Sequence, residues 1–348
     1  MIVTGGLFDL QVNGFAGIDF NDATLSADDF QRALEAMAVT GVVQCLPTLI
    51  TATEATLEAR FAALDAAVAQ APFGKAMVPG YHLEGPFLNP SPGFRGCHPA
   101  EAMITPDIAL VDRLQARLQK PILLVTIAPE LPGAEGFIRA VRERGIAVAL
   151  GHSDARLDDV KRAVAAGATL ATHLGNGVAH QQHKFDNPIF AQLAEDRLIA
   201  CFIADGIHVA PHALGVMLRA KTRARSILVT DAVAGAAAPP GLYPFAGMQV
   251  ERGTNGAVRE PGAPHLAGSA LTLDQAVRNV AAWGFCSFQE AVLMASVHPR
   301  AALVDAAARH GEVLLEGEVR WSDDQRVVET TLAGETLYAA SLHLGGET

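Results

Sequence analysis

Cysteine is scarce in this chain. Cys45, Cys97, Cys201 and Cys286 are the four in 348 residues, widely separated and with no CxxC pair. That spacing excludes a disulfide framework and a paired-thiolate zinc site, so the thiols read as reduced, small apolar groups. Cys97 stands apart only because it adjoins His98 in a Gly-rich loop, which keeps it among the substrate-binding candidates. Basic residues are outnumbered, 26 Lys and Arg against 37 Asp and Glu, giving a formal net charge of -11 and a pI near 5.5. No cluster of Lys or Arg occurs, and sequence-independent affinity for nucleic acid, which needs such clusters to neutralise phosphates, is excluded. Long apolar runs are missing as well. No stretch is long enough to span a bilayer, and the start, Met1 to Asp9, has no basic region followed by an apolar one. A cytoplasmic protein with no membrane partner is expected.

What is present is 50% hydrophobic and 18% charged, with 32 Gly and 19 Pro, the composition of a compact body with many turns and not of a disordered chain. Short apolar, β-branched runs alternate with longer Ala/Leu-rich amphipathic segments, the signature of βα units around a parallel sheet. The strands are expected at Leu7–Val12, Val42–Pro47, Met77–Leu83, Ile122–Ile127, Ala147–Leu150, Thr169–Thr172, Ile199–Ile203 and Ile227–Thr230. Helices are expected between them, for instance at Ala27–Val39, Glu54–Ala69, Asp107–Leu118, Glu135–Arg144 and Asp158–Ala166. Strict alternation of this kind favours an α/β fold closed into a (β/α)8 barrel over an open sheet. After Ala270 come three helical pieces and a strand-like tail, Glu318–Trp321, Val327–Leu332 and Glu335–Tyr338. The expected division is a catalytic barrel over 1–310 and a short β-rich appendage over 311–348.

The polar residues that carry chemistry fall where the strands end, and barrel active sites are built at those carboxyl ends. Strand three runs into His82-Leu83-Glu84-Gly85-Pro86, strand five into Gly151-His152-Ser153-Asp154, and strand six into Thr172-His173-Leu174-Gly175-Asn176. Strand seven runs into Asp205-Gly206-Ile207-His208 and strand eight into Asp231. Glu84, His152, His173, His208 and Asp231 can therefore point into one mouth. One carboxylate and two imidazoles suit a borderline divalent metal such as zinc or iron, and three protein ligands leave a position open for water. A metal lowers the pKa of that water to about 7, and a nearby carboxylate can take its proton and pass it to a leaving amine. Asp231 is the candidate for that base and acid. His82 reads as structural, as do His180, His183, His212, His265, His298 and His310, although His180 and His183 lie near the expected mouth.

Seven segments follow one another in a recognisable order: Asp9-Leu10-Gln11-Val12-Asn13-Gly14, His82-Leu83-Glu84-Gly85-Pro86-Phe87, Gly151-His152-Ser153-Asp154-Ala155, Thr172-His173-Leu174, Ala204-Asp205-Gly206-Ile207-His208, Leu228-Val229-Thr230-Asp231-Ala232 and Leu266-Ala267-Gly268-Ser269-Ala270-Leu271-Thr272. In these the chain, from Asp9 to Arg300, resembles the N-acetylglucosamine-6-phosphate deacetylase family of the amidohydrolase superfamily. The resemblance implies a TIM-like barrel of the metal-dependent amidohydrolase type. It implies hydrolysis of N-acetylglucosamine 6-phosphate to the amine sugar and acetate. Glu84, His152 and His173 would bind one divalent metal ion per chain, zinc first, with iron or another divalent ion as the alternative. Asp231 would be general base and acid. His98 would contact the sugar and orient the acetamide, His208 and Asn176-Gly177 would bind the sugar, and Leu266-Ala267-Gly268 would give backbone contacts near the N-acetyl group. A homodimer with shared sites is implied as well.

The chain differs from many members of the wider superfamily in one place and departs from the family pattern in two. Many amidohydrolases carry His-x-His on the first strand to hold a second metal, whereas Gln11-x-Asn13 stands here, and neutral amides are weaker ligands than imidazole, so a single-metal site is expected. Family members begin with several dozen residues of a β-sandwich, while here the first barrel strand is expected almost at Met1, so the auxiliary β-sandwich should be missing or reduced to the C-terminal strands. Lys184 occupies the position of an Arg that reaches the sugar phosphate across a dimer interface, and offers a point charge in place of a planar fork. The competing expectations are a deacetylase of an unphosphorylated or different N-acyl amino sugar, an amidohydrolase acting on a cyclic amide or N-acyl amino acid, and a catalytically silent sugar-binding barrel. A complete metal set beside Asp231 speaks against the last.

Overall fold

The computed structural model describes residues 1–263 and 265–340; the last eight residues of the expected appendage lie outside them. Eight parallel strands form the centre: β1 Leu7–Val12, β2 Val42–Ile50, β3 Tyr81–Glu84, β4 Ile122–Ile127, β5 Ala147–Leu150, β6 Leu170–Ala171, β7 Ile199–Ile203 and β8 Ser226–Val229. They pair in chain order. Every residue of β1, β2, β4 and β5 is buried, as the continuous apolar runs require when helices cover a sheet whose other face is the barrel core. The helix Ala27–Val39 is typical of the outer ring. Ser26 caps it by accepting from the Asp29 amide at 3.1 Å, and Phe30, Leu34 and Met37 recur every three or four residues to give one buried stripe. Each such side chain contributes roughly 1.5–3 kcal/mol when fully buried.

The barrel closes where β1 meets β8. The Asp231 amide donates to Gln11 O at 2.9 Å and the Asn13 amide to Ala232 O at 2.7 Å. Beneath this seam lies Asp9, 1% exposed, whose carboxyl accepts from Thr230 Oγ1 at 2.5 Å and from the amides of Thr230 and Gln11 at 3.2 and 3.3 Å. Burial pushes the Asp9 carboxyl up to about 7 despite those bonds.

Besides the two-stranded hairpin Gly14–Phe15 and Ile18–Asp19, two small sheets flank the barrel. The tail strands Gly317–Trp321, Val327–Leu332 and Glu335–Ala339 lie where the sequence puts them, and the strand Ile2–Gly5 joins them as the fourth, antiparallel to Gly317–Trp321. Trp321 is fully buried there, edge-on to Phe288 at 5.2 Å, with its indole N–H donating to Thr4 Oγ1 at 2.8 Å. The second sheet, Gly241–Phe245, Met248–Arg252 and Val258–Arg259, packs Phe245, Val250 and Val258 on Ile50, Val233 and Ala267 beside the carboxyl ends of the strands.

The strand expected at Met77–Leu83 begins only at Tyr81. Met77 ends a short helix, Gly74–Met77, and Pro79-Gly80 then breaks the chain: Pro brings no amide to a ladder, and a Cβ on Gly80 would lie 2.5 Å from Pro121 O.

Asp9 sets a testable pH dependence. Its ordinary pKa is 3.8 and its folded value is about 7, so the native state binds the extra proton across that window. The stability it contributes is complete below the lower value and is lost as pH rises through the upper one. Denaturant titrations of the wild type and Asp9→Asn at several pH values should therefore differ in slope between these limits, with the variant flatter; parallel curves would remove Asp9 as the cause.

Candidate active site

Three of the four residues expected to do the chemistry sit just past a strand in a left-handed backbone conformation. His152 has φ 52°, His173 φ 25° and Asp231 φ 49°, whereas Glu84 ends β3 itself. A non-glycine residue in that region costs roughly 1–3 kcal/mol, and such strain clusters where side-chain direction matters more than stability. The turn at His173 also explains why β6 is only two residues long.

Glu84 is the hub. His173 Nε2 lies 3.0 Å and His152 Nε2 3.4 Å from its Oε1, and His98 Nε2 lies 3.8 Å from its Oε2. The rings stack in sequence, His98 on His152 with centroids 4.5 Å apart and His152 on His173 at 4.9 Å. Burial would raise Glu84, but hydrogen bonds from His152 and His173 hold it well below the usual carboxylate range. Burial also pulls on His173, yet the Glu84 contact raises it overall, while burial and the His152 charge drive His98 down to about 3. His98 is therefore neutral, with Nδ1 2.8 Å from Thr51 Oγ1. Burial lifts the Cys97 thiol to about 12, which leaves it un-ionised and no nucleophile.

These donors fit a divalent cation. His152 Nδ1 donates to Phe94 O at 2.8 Å, which fixes the ring with Nε2 turned toward Glu84 Oε1, 3.4 Å away, where that nitrogen donates when the ring is charged and can ligate a cation when it is neutral. His173 Nδ1 is buried and has no partner among the described residues. Donor atoms of Glu84, His98 and His152 all lie within 4.8 Å of one another, a set that contains His98 where the sequence names His173, although His173 Nε2 lies closer to Glu84 than His98 Nε2 does.

Gln11 and Asn13, at the end of β1, hold carboxylates. Gln11 Nε2 donates to Glu84 Oε1 at 2.9 Å and to Asp231 Oδ1 at 3.2 Å, and Asn13 Nδ2 donates to Asp231 Oδ1 at 2.8 Å. Burial raises the Asp231 carboxyl and the Glu84 charge adds to that, against the pull of His173, His208 and Asn13. His208 is fixed by Asp205, whose Oδ2 lies 2.6 Å from its Nδ1. His82 is fully buried, its Nε2 2.8 Å from Thr126 Oγ1, and burial lowers it to about 4, in keeping with a structural role.

A cavity of about 800 Å³ opens over these groups. Its wall includes Glu84, His152, His173, Asp231, Cys97, His98, Asn176, Gly177, His208, Leu266 and Gly268. Ala267 is buried behind the wall, its amide donating to Val258 O at 3.0 Å, and Lys184 is exposed outside it. His180 and His265, read as structural, line the cavity, whereas His183 accepts from the Asp186 amide at 2.9 Å in a local turn. Arg95 and Arg259 also line it and were not singled out. For Arg95 the signal was there: it is the one cation in Gly93-Phe94-Arg95-Gly96-Cys97-His98. For Arg259 it was not, because the sheet that carries it was not anticipated.

No family model matches the chain. Among curated proteins it is 33% identical to N-acetylglucosamine-6-phosphate deacetylase of Danio rerio, with 97% of this chain and 84% of the relative aligned. It is 34% identical to N-acetylgalactosamine-6-phosphate deacetylase of Escherichia coli, over 84% and 75% of the two chains. The chain belongs to the N-acetylglucosamine-6-phosphate deacetylase family. The fold agrees: N-acetyl-D-glucosamine-6-phosphate deacetylase from Mycobacterium smegmatis, solved as a mutant in complex with N-acetyl-D-glucosamine-6-phosphate, superposes with a TM-score of 0.85 at 28% identity, covering 97% of this chain and 87% of that one. Deacetylases of this family are metal-dependent, and this chain has a Glu/His/His group that could hold such an ion.

The deacetylase geometry makes Gly177 a test of the His152 placement. Gly177 has φ 60°, and a Cβ there would sit 2.7 Å from His152 Nδ1, on the atom that holds Phe94 O. Gly177→Ala should lower affinity for a divalent cation about tenfold to a hundredfold, as disturbance of a ligand's outer partner does, with a modest fall in the thermal midpoint from the left-handed backbone. Unchanged affinity by competition titration would detach Gly177 from the cluster.

Proposed function

We propose that this protein hydrolyses the N-acetyl amide of an N-acetylhexosamine 6-phosphate, with N-acetylglucosamine 6-phosphate as the leading substrate. The observation that carries this is the convergence of Glu84, His152 and His173 at the base of a sugar-sized cavity beside the half-buried carboxyl of Asp231. In this reading Glu84, His152 and His173 hold one divalent ion, zinc being the expected metal. His152 and His173 address the same oxygen, Oε1, whereas His98 faces Oε2 from further away and is free to orient the acetamide.

A bound ion would polarise the acetamide carbonyl and acidify a water. The rest falls to side chains of the chain. Asp231 takes a proton from the water as its oxygen bonds to the acetyl carbon, then passes it to the nitrogen as the C–N bond breaks, giving acetate and the free amine. Both hydrogen bonds from Gln11 and Asn13 fall on Oδ1, which leaves Oδ2 for that exchange. The raised pKa of Asp231 suits a group that must both accept and return a proton near neutrality. His208, Asn176, Gly177 and the Leu266–Gly268 backbone border the sugar, and Cys97 lies beside His98.

The galactosamine name of the Escherichia coli relative favours a second reading, the C4 epimer, and turnover of both N-acetylhexosamine 6-phosphates decides between them. We also read the four-stranded sheet as what the chain has in place of a full β-sandwich, with Ile2–Gly5 lending an edge to the appendage that follows a 1–310 barrel. A homodimer in the cytoplasm completes the reading. Among the described residues, no helix is long and apolar enough to cross a membrane.

Chelation should abolish activity and leave the circular-dichroism melt nearly in place, because the ion joins an already packed barrel. Elemental analysis should give one equivalent per chain, and two in active enzyme would refute the amide argument at Gln11 and Asn13. Asp231→Asn should keep metal and substrate binding while kcat falls at least about a hundredfold. Near-normal turnover in that variant would rule Asp231 out as the base.

A further inference from the structure

Charge is unevenly distributed in the cavity. Its carboxylates, Glu84 and Asp231, stand at the strand ends, while Arg95 and Arg259 are half-buried in its wall. Arg259 has interactions within the chain. Among the described residues, the Arg95 guanidinium has no ion pair and no hydrogen bond. Partial burial of an unpaired cation loses hydration that nothing inside the protein returns, and an anion from outside would return it.

The loop that carries Arg95 is held against the catalytic cluster. Phe94 O accepts from His152 Nδ1 at 2.8 Å, Arg95 O accepts from the His98 amide at 3.1 Å, and the Arg95 amide donates to Ser91 O at 3.3 Å. On its other side a Cβ on Gly93 would come within 2.8 Å of Ala179, so the loop abuts the segment after His173. The guanidinium root is thus set relative to the residues that would grip the acetamide. A hexosamine 6-phosphate needs that arrangement, with a neutral amide at one end and a dianion at the other. A chain of net charge -11 repels the dianion unless a local cation offsets it.

We propose that Arg95 is a specificity-determining residue that receives the substrate's phosphate, supplied by the same chain as Glu84, His152 and His173. The inference rests on the deacetylase reading above. The guanidinium offers the planar two-pronged donor that a phosphate matches and that Lys184 cannot. Lys184 is exposed and does not line the cavity, whereas Arg95 does.

The test compares kcat/KM for a 6-phosphorylated N-acetylhexosamine and its unphosphorylated parent in the wild type, Arg95→Ala and Arg95→Lys, together with calorimetric binding of inorganic phosphate. The wild type should prefer the phosphorylated sugar. Arg95→Ala should cut that preference about tenfold to a hundredfold, chiefly through KM, with phosphate affinity falling alongside and Arg95→Lys recovering part of both. A preserved preference ratio overturns the proposal, whether both substrates decline together through a disturbed loop or neither changes. A wild type that favours the unphosphorylated sugar overturns it too, while leaving the deacetylase intact. A wild type inert on both sugars that still binds phosphate through Arg95 supports the anion site and removes the deacetylase reading.

Discussion

The seam between the first and last barrel strands is the constraint on which the site depends. An open sheet would leave the edges of β1 and β8 unpaired and Gln11 and Asn13 far from Asp231. Closure puts the Asp231 amide on Gln11 O and the Asn13 amide on Ala232 O, and the same few residues then turn their side chains toward the mouth. Asp9 sits beneath, in a position that would be costly for a carboxylate without donors. Three donors reach it, and its raised pKa lets it keep a proton when they are not enough. An apolar residue there would fill the volume but would leave the Thr230 and Gln11 amides without the acceptor they now share.

Above the seam the two carboxylates are driven apart in character by their surroundings. Glu84 gathers imidazoles and stays ionised, while Asp231 gathers two neutral amides and lies beside the Glu84 charge, which makes its own ionisation harder. One side chain, Gln11, donates to both and so fixes their separation without adding charge. Environments that push a pair of carboxyls in opposite directions are how a protein assigns one to binding and the other to proton transfer. Amides on the first strand hold both carboxylates by donating to them, which imidazoles of the same reach could do only in part.

Much of this was legible in the sequence because parallel strands buried on both faces read as apolar runs, and β4, β5 and β7 begin and end where those runs do. Polar residues directly after such runs announced Glu84, His152, His173 and Asp231. The sheet Gly241–Arg259 was not legible: its first strand is only five residues long with Phe245 alone buried, and it contains Pro244, which argues against a paired strand. The role of Gln11 and Asn13 as carboxylate holders could not be read either, since it exists only once the barrel has closed. Nor could the ranking of His98 against His173 around Glu84, which depends on ångström differences between loops. Lys184 was legible only through the family pattern, and its single-chain position leaves it out of the cavity.

The strain at His152, His173 and Asp231 shows how such precision is kept. A left-handed residue relaxes unless its neighbours over-determine it. Each of the three is pinned through its own main chain. His152 O accepts from the Asn89 amide at 3.1 Å, and His173 O accepts from the amide and the side chain of Asn176, both at 3.0 Å. The Asp231 peptide donates to Gln11 and accepts from the Ser269 amide at 2.9 Å. These partners come from the loop after β3, the loop after β6, β1 and the segment after the small sheet, so all four close on the same mouth. Residues far apart in sequence thereby share the cost of one geometry. A loosened loop would release the strain at one of these residues and leave the other two in place.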